Sequence, residues 1–145
     1  MVKLLIKKLD KKVITPEYKT KGSSGMDLMA NIKDAVFLKS GKSDIIPTGI
    51  AISIPVGYEI QIRPRSGLAA KKKITVLNAP GTIDADYRGE IKVILINLGN
   101  EEFKINPNDR IAQMVLCPVI KAELVEVDEL QNTKRGEGGF GSTGG

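Results

Sequence analysis

The residues best suited to chemistry lie in the centre of the chain, between positions 63 and 93. Asp84 and Asp86 are two residues apart, so on a strand both carboxylates would point to one face. Such a pair can bind a metal, or one carboxylate can act as a general base while the other is held in an ion pair. Arg65 and Arg88 are the candidate partners. A polar hairpin tip without catalytic function explains the same spacing equally well.

The composition narrows the chemistry further. The 145-residue chain has no histidine and one cysteine, Cys117, which lies in an apolar stretch and is interpreted as an inert buried thiol. These counts exclude Ser-His-Asp and Cys-His nucleophiles, a Cys/His zinc site and an internal disulfide. Acid–base chemistry must fall to Asp, Glu, Lys, Tyr or water. A metal would be a hard, oxygen-seeking ion such as Mg²⁺.

Two other segments have features suited to phosphate groups. Good helix formers over 66–72 follow Pro64 and start at Ser66, which suits an N-cap, so we predict a short helix whose first N–H groups can bind an anion. A plain surface connection between strands is the alternative. The glycine-rich end, 131–145, lacks the lysine of a nucleotide-hydrolase phosphate loop, but its N–H groups could close on phosphates together with Arg135 and Phe140. A solvated tail is the alternative there.

Short strands must position these segments. Seven prolines with glycines between them divide the chain into short pieces, which predicts an all-β sandwich or barrel with one short helix. The expected arrangement is a β domain over 1–130 and a flexible tail over 131–145. Residues 91–96 predict a central strand buried on both faces after Lys92. Further strands are predicted over 50–54, 58–63, 110–119 and 122–130.

Charge and hydropathy bear on partners and location. The net charge of +5 favours small anions and nucleic acid about equally, although six aromatic residues leave little material for stacking on bases. No apolar run approaches the roughly 20 residues that a membrane span needs. The first ten residues have too short an apolar centre for a signal peptide. A cytoplasmic protein that does not bind a membrane is therefore expected.

Five separated motifs together resemble those of one enzyme family, the trimeric dUTPases (deoxyuridine triphosphate nucleotidohydrolases). The resemblance covers nearly the whole chain, and the motifs stand in the order of the family. Two departures are Lys73, where the family usually has glycine, and Ser24, where alanine is commoner. The motifs are SSGMDLMA at 23–30, PRSGLAAK at 64–71, NAPGTIDADYRGE at 78–90, RIAQMV at 110–115 and RGEGGFGSTG at 135–144.

The resemblance implies a jelly-roll-like β-sandwich that assembles as a homotrimer, with each active site shared between subunits and closed by a neighbour's tail. The implied reaction converts dUTP and water into dUMP and pyrophosphate by attack on the α-phosphorus, which keeps uracil out of DNA and supplies dUMP for thymidylate synthesis. Asp84 takes the position of the general base, with Arg65 as its expected orienting partner. Asp27 and Gln113 are expected near the metal's water shell and the nucleophile. Mg²⁺ is expected to arrive mainly on the triphosphate.

The resemblance also implies a set of substrate contacts. Phosphates would contact Arg65 and the helix start, Asn78 and the main chain from Gly81 to Asp84 would read the uracil edge, and the tail would close over both. Tyr87 would pack under the deoxyribose and exclude a 2′-hydroxyl, and Phe140 would stack on uracil. The remaining implied contacts are Ser66, Gly67, Thr82, Ile83, Lys92, Arg135, Gly141, Ser142 and Thr143.

Three alternatives compete with this hypothesis. A dCTP deaminase shares the fold but would use a catalytic glutamate and lack the set of five motifs. A non-catalytic nucleotide-binding relative would have lost Asp84 or the tail, and both are present. A basic β-barrel that binds nucleic acid is favoured by the charge alone, and we expect no nucleic-acid partner.

Overall fold

A computed structural model of the protein describes residues 1–141, and these form eleven short β-strands and one short α-helix. The all-β prediction is confirmed. No helix among these residues is long and apolar enough to cross a membrane. The strands are β1 (Leu5–Lys8), β2 (Met26–Met29), β3 (Val36–Leu38), β4 (Ser43–Pro47), β5 (Ile50–Ser53), β6 (Tyr58–Arg63), β7 (Ile74–Val76), β8 (Gly81–Ile83), β9 (Lys92–Asn97), β10 (Phe103–Ile105) and β11 (Arg110–Pro118), and helix α1 spans Ser66–Lys72.

The strands form small antiparallel sheets. A four-stranded sheet has the order β2-β11-β6-β8, and a three-stranded sheet has the order β4-β9-β7. Two further pairs, β1 with β5 and β10 with β3, complete the structure. Strands β5 and β6 belong to different sheets, because the turn at 55–57 carries the chain from one to the other. The four-stranded sheet matters most for function, since it carries or adjoins residues from four of the motifs.

Strand β6 has one buried and one polar face. Along β6, Ile60 and Ile62 are buried, while Glu59, Gln61 and Arg63 point to the opposite face, as the alternation predicts. The polar side chains on the opposite face hydrogen-bond to one another. Gln61 donates to Glu59 at 2.7 Å, and Arg63 donates to Gln61 at 2.8 Å and to Cys117 Sγ at 3.5 Å. Cys117 is therefore half-buried beside a guanidinium rather than fully buried among apolar groups.

Two strand predictions need correction. In β9, which is central as predicted, Val93 and Leu95 are buried but Ile94 and Ile96 are only half-buried, so one face alone is fully packed. Residues 122–130 form no strand, although their sequence predicts one. A strand needs a neighbouring edge, and this segment is exposed throughout, with Leu124 and Leu130 among its solvent-facing side chains.

Helix α1 starts one residue earlier than an N-cap at Ser66 would predict. Arg65 is the N-cap residue, in an extended conformation, and makes no side-chain cap hydrogen bond, whereas Ser66 is the first helical residue. The helix ends at Lys73, whose φ of 58° lies in the left-handed region. Lys73 thus occupies a position where glycine is ordinarily preferred.

Candidate active site

An ion-paired carboxylate lies at the centre of the first motif. Asp27 on β2 is opposite Gln113 on β11, and its side chain is 18% exposed. Arg65 Nε lies 2.9 Å from Asp27 Oδ1, and Arg110 Nη1 lies 3.3 Å from Oδ2. Each carboxylate oxygen therefore has its own guanidinium, which fixes Arg65 at the N-terminus of α1. The expected pairing of Arg65 with Asp84 does not occur within the chain.

Arg110 was not predicted as a site residue, and a strand irregularity explains why. On a regular strand, Arg110 and Gln113 would point to opposite faces because they are three residues apart. The register between β11 and β2 shifts between Arg110 and Ala112, so that one residue is inserted and Arg110 faces Asp27. The RIAQMV segment carries no local signal for this bulge.

Gln113 is held between two backbone segments. Its amide nitrogen donates to the Pro64 carbonyl at 3.0 Å, immediately before α1. On the other side it lies against Gly25, where a Cβ atom would come within 2.4 Å of Gln113 Oε1. The absence of a side chain at Gly25 therefore makes room for the amide. Asp27, Arg65 and Gln113, which the sequence places in three motifs, are brought together beside the first residues of α1.

The start of α1 exposes backbone donors next to this cluster. Ser66 and Gly67 are exposed, and the first N–H groups of a helix have no partner within it. A cleft of about 430 Å³ next to Gln113 is lined by Gln61, Arg63, Pro64, Ala79 and Pro80. The cluster combines two guanidinium groups with free helix N–H groups, an arrangement suited to phosphate oxygens.

Asp84 lies elsewhere, in the loop after β8. It is exposed, and its backbone carbonyl accepts the Tyr87 N–H at 3.1 Å. Asp84 and Asp86 follow the strand rather than share one of its faces, so that part of the prediction is wrong. Arg88 does not pair with either carboxylate, because its guanidinium donates to the Ala85 and Tyr87 carbonyls. The loop borders a cleft of about 490 Å³ whose lining includes Tyr58, Glu59 and Lys121.

The other residues predicted to contact uracil lie in the turn before β8, in β8 itself and at the start of β9. Gly81 is buried opposite Ile62 on β6, and a Cβ at Gly81 would come within 3.3 Å of the Asn78 amide nitrogen. Thr82 and Ile83 complete β8. Lys92 is exposed at the start of β9, with its ammonium group 4.0 Å from Glu90. Asn78 and the β8 backbone therefore form one unit, as the motif suggests.

The predicted site has two halves: the phosphate-side residues Asp27, Arg65 and Gln113, and the β8 segment with the loop that carries Asp84. The two halves are far apart within one chain. In the four-stranded sheet, Asp27 lies opposite Gln113 and Gln113 opposite Arg63, while Ile83, just before Asp84, lies opposite Ile60. Three strand spacings of about 4.8 Å and a four-residue offset of about 3.3 Å per residue separate Asp27 from Asp84 by about 20 Å. One chain does not bring the predicted base to the predicted phosphate-binding residues.

Of the tail residues that the structure describes, Arg135 and Phe140 contribute no hydrogen bond or buried side chain to either half. Arg135 Nε donates to the Gly138 carbonyl at 2.8 Å within the tail itself, and Phe140 is fully exposed. Gly141 is the last residue that the structure describes, with a φ of 89°. The predicted contacts Ser142 and Thr143 lie outside the described residues.

Comparison with known proteins identifies the family. The family model described as dUTPase matches residues 11–144. The chain belongs to the dUTPase family. It is 59% identical to a deoxyuridine 5′-triphosphate nucleotidohydrolase of Nautilia profundicola, over 99% of each chain, and 56% identical to one of Fusobacterium nucleatum, over 96% of this chain and 99% of the relative.

Solved dUTPase structures share the fold. A mutant dUTPase of Staphylococcus bacteriophage 80alpha, solved with dUpNHpp, superimposes with a TM-score of 0.86 at 29% identity over 98% of each chain. A mutant dUTPase from the S. aureus phage phi11, described with a structural Mg(II) ion, gives a TM-score of 0.78 at 26% identity over 88% of this chain and 97% of that one. The jelly-roll fold expected from the dUTPase motifs is confirmed.

A magnesium ion near the arginine cluster could contact the Asp27 carboxylate. Within residues 1–141, no group of three or more carboxylate, cysteine or histidine side chains is close enough to hold a metal. Both oxygens of Asp27 already accept from arginines, so direct ligation would displace one of them. Asp27 is suited to contact a metal through water while keeping both ion pairs.

Proposed function

We propose that this dUTPase hydrolyses dUTP to dUMP and pyrophosphate by attack of water on the α-phosphorus, with Asp84 as the general base. The reaction would keep uracil out of DNA and supply dUMP for thymidylate synthesis, and we keep the cytoplasmic location as a prediction. The observation that carries this proposal is the family match over residues 11–144, which includes all five motifs. The chain has no histidine, but hydrolysis does not require one, because a positioned carboxylate can accept the proton of water.

We infer that the active site forms between copies of the chain in a homotrimer. The separation of about 20 Å between Asp27 and Asp84 supports this proposal, because a single triphosphate cannot be bound by one half and attacked from the other. A neighbouring copy would bring its Asp84 loop to the first chain's Arg65 and Gln113. The exposed apolar side chains of residues 119–130, among them Ile120 and Leu124, are consistent with burial in such an assembly.

The phosphate half of the site would bind and orient the triphosphate. Arg65 is fixed by Asp27 at 2.9 Å, so its remaining N–H groups and those of Ser66 and Gly67 present a preorganised set of donors. Bound Mg²⁺ would supply charge neutralisation across the phosphates, and Asp27 would contact its water shell. Gln113 would lie next to the α-phosphate and the attacking water.

The other half would select the nucleoside. Asn78 and the backbone of Gly81, Thr82, Ile83 and Asp84 would read the uracil edge, with Lys92 lining the same pocket. Fixed backbone donors and acceptors reject a mismatched base because its polar groups would be left unpaired. The exposed Tyr87 ring would pack under the deoxyribose.

The tail would be the third part of the site and would close over the other two. Phe140 is fully exposed on its own chain, where its ring contributes nothing to stability. It would stack on uracil, while Arg135, Gly141, Ser142 and Thr143 would contact the β- and γ-phosphates. Closure would exclude water other than the nucleophile and strengthen the charge interactions inside the site.

One assay tests the proposed reaction directly. Pyrophosphate release is measured with each of the four common dNTPs, dUTP and UTP in the presence of Mg²⁺, and we expect release from dUTP alone. Equal turnover of dCTP or dTTP would contradict the proposal, and deamination of dCTP would favour the rival enzyme class. Filter binding of single-stranded DNA, competed with dUTP, would reveal a nucleic-acid-binding protein instead.

A further inference from the structure

Tyr87 lies directly over the backbone of Gly89. A Cβ atom built at Gly89 would come within 2.4 Å of Tyr87 Oη and 2.6 Å of Cζ. These distances are far below van der Waals contact, so any side chain at position 89 must displace the ring. The phenol oxygen donates a hydrogen bond of 2.9 Å to the Glu90 carbonyl, which holds the ring in this place.

The backbone of Gly89 does not itself require glycine. Gly41, Gly49 and Gly57 have positive φ angles, which disfavour other residues, but Gly89 is not among the positive-φ glycines of residues 1–141. A positive φ is therefore not the reason for glycine at this position. The feature that requires glycine at this position is contact with the aromatic ring.

The acceptor of the phenol hydrogen bond is anchored to the body of the protein. Glu90 Oε1 accepts the Gly49 N–H at 2.9 Å. The next residue, Ile91, is buried, and its N–H donates to the Ile50 carbonyl at 2.8 Å. Because the Glu90 side chain and the Ile91 backbone are both fixed to the strand β5 region, the ring is positioned by the core rather than by the loop alone.

We propose that Gly89 is a specificity-determining positioning residue. Because it has no side chain, the Tyr87 ring can lie where it distinguishes a 2′-hydrogen from a 2′-hydroxyl. This inference rests on the proposed function, in which Tyr87 packs under the deoxyribose. A methyl group at position 89 would displace the ring and break its hydrogen bond to Glu90. The space next to C2′ would then change, while the uracil-reading backbone of β8 would stay in place.

The substitution Gly89→Ala tests the proposal. We expect the ratio of kcat/KM for dUTP to that for UTP to fall by about tenfold or more, because rejecting one hydroxyl depends on close packing. The preference for dUDP over UDP, measured as a ratio of Kd values by calorimetry, should fall in parallel without any turnover. Gly22→Ala is the matched control, since a Cβ there would meet no atom within 4 Å, and it should leave both preferences unchanged.

A double-mutant cycle shows whether Gly89 acts through the ring. In a Tyr87→Ala background the added methyl group has room, so Gly89→Ala should cause no further loss of selectivity. This double variant also keeps the test valid if the single variant folds poorly. Additive losses, or unchanged selectivity in a folded Gly89→Ala protein, would overturn the inference. A wild-type enzyme without preference for dUTP over UTP would instead contradict the proposed function.

Discussion

The two carboxylates assigned to the site lie in opposite environments. Asp27 is largely buried, and each of its oxygens accepts from an arginine. Asp84 is exposed at the edge of a loop. Both Asp27 oxygens are therefore occupied by arginines, whereas the Asp84 carboxylate lies in solvent and can accept a hydrogen bond from a water molecule, as its proposed function requires.

The substitution Asp84→Asn tests this assignment, because it preserves shape and removes the base. We expect turnover of dUTP to fall by roughly 10²–10⁴-fold while dUDP binding persists. Asp86→Asn, two residues along the same loop, is the control and should retain turnover. Near-normal activity of the Asp84→Asn enzyme would move the base to Asp86 or Asp27.

Gly25 provides a second residue-level prediction. Gly25→Ala should push the Gln113 amide out of its place, because the new methyl group would overlap Oε1. We expect kcat for dUTP to fall by roughly 10²-fold, as a misplaced catalytic group does, and to match the loss caused by Gln113→Ala. Gly22→Ala is again the control. A fully active Gly25→Ala enzyme would show that Gln113 tolerates displacement.

At the scale of elements, the helix α1 ends with a residue in an unfavourable conformation. Lys73 has φ 58° and ψ 27°, and its N–H donates to the Ala69 carbonyl at 3.1 Å. A left-handed residue at the end of a helix is ordinarily glycine, because glycine has no Cβ atom to clash with the backbone. The lysine retains one local compensation, a hydrogen bond from Nζ to the Ala70 carbonyl at 3.1 Å.

Lys73→Gly should therefore stabilise the protein by about 0.5–1 kcal/mol, since relief of left-handed strain exceeds the gain in unfolded-state entropy. Thermal melts at equal protein concentration measure this as a higher Tm. Lys71→Gly, at a position of the last turn with helical backbone, is the matched control and should destabilise by about 0.5–1 kcal/mol. A lower Tm for Lys73→Gly would mean that the Nζ hydrogen bond outweighs the strain.

Elements with local signals were predicted well. The strands around Ile50 and Ile60, the helix over 66–72 and the central position of β9 follow from periodicity and turn residues, which act over a few positions. The segment 122–130 was predicted as a strand and is not one. Its alternating pattern is present, but the partner edge that a strand requires is a property of the tertiary structure.

At the scale of the whole molecule, the tail makes a separable contribution. Truncation after Lys134 removes Arg135 and Phe140 but no strand, so the fold and the homotrimer should persist. We expect turnover of dUTP to fall by roughly 10²-fold or more, with a smaller loss of dUDP affinity, because tail contacts form mainly as the transition state develops. Light scattering measures the mass, and a fully active, stable monomer would contradict the trimer itself.

Mixing chains tests whether the site is shared. Tail-deleted chains retain Asp84, and Asp84→Asn chains retain the tail, so co-refolded trimers should contain some sites with both. Partial recovery of dUTP turnover is expected, with each variant refolded alone as the control. If mixtures recover nothing while the truncated protein remains a folded trimer, each tail serves its own chain.

The sequence by itself determined the residue types, the strand faces and the motifs, because alternation, turn residues and the order of five motifs are all local or linear properties. It thereby identified the family and the candidate residues. Only the tertiary structure decided which charges meet. Asp27 and Arg65 are 38 residues apart, and the bulge in β11 turns Arg110 toward the same carboxylate.

The tertiary structure also decided that Asp84 stands about 20 Å from that ion-paired cluster, a distance set by strand order and register. Strand order results from packing between distant segments, which no short pattern in the sequence encodes. In the same way, the contacts at Gly25 and Gly89 depend on side chains that fold back over them. The sequence shows a glycine, and the three-dimensional packing shows what occupies the space that its missing side chain leaves.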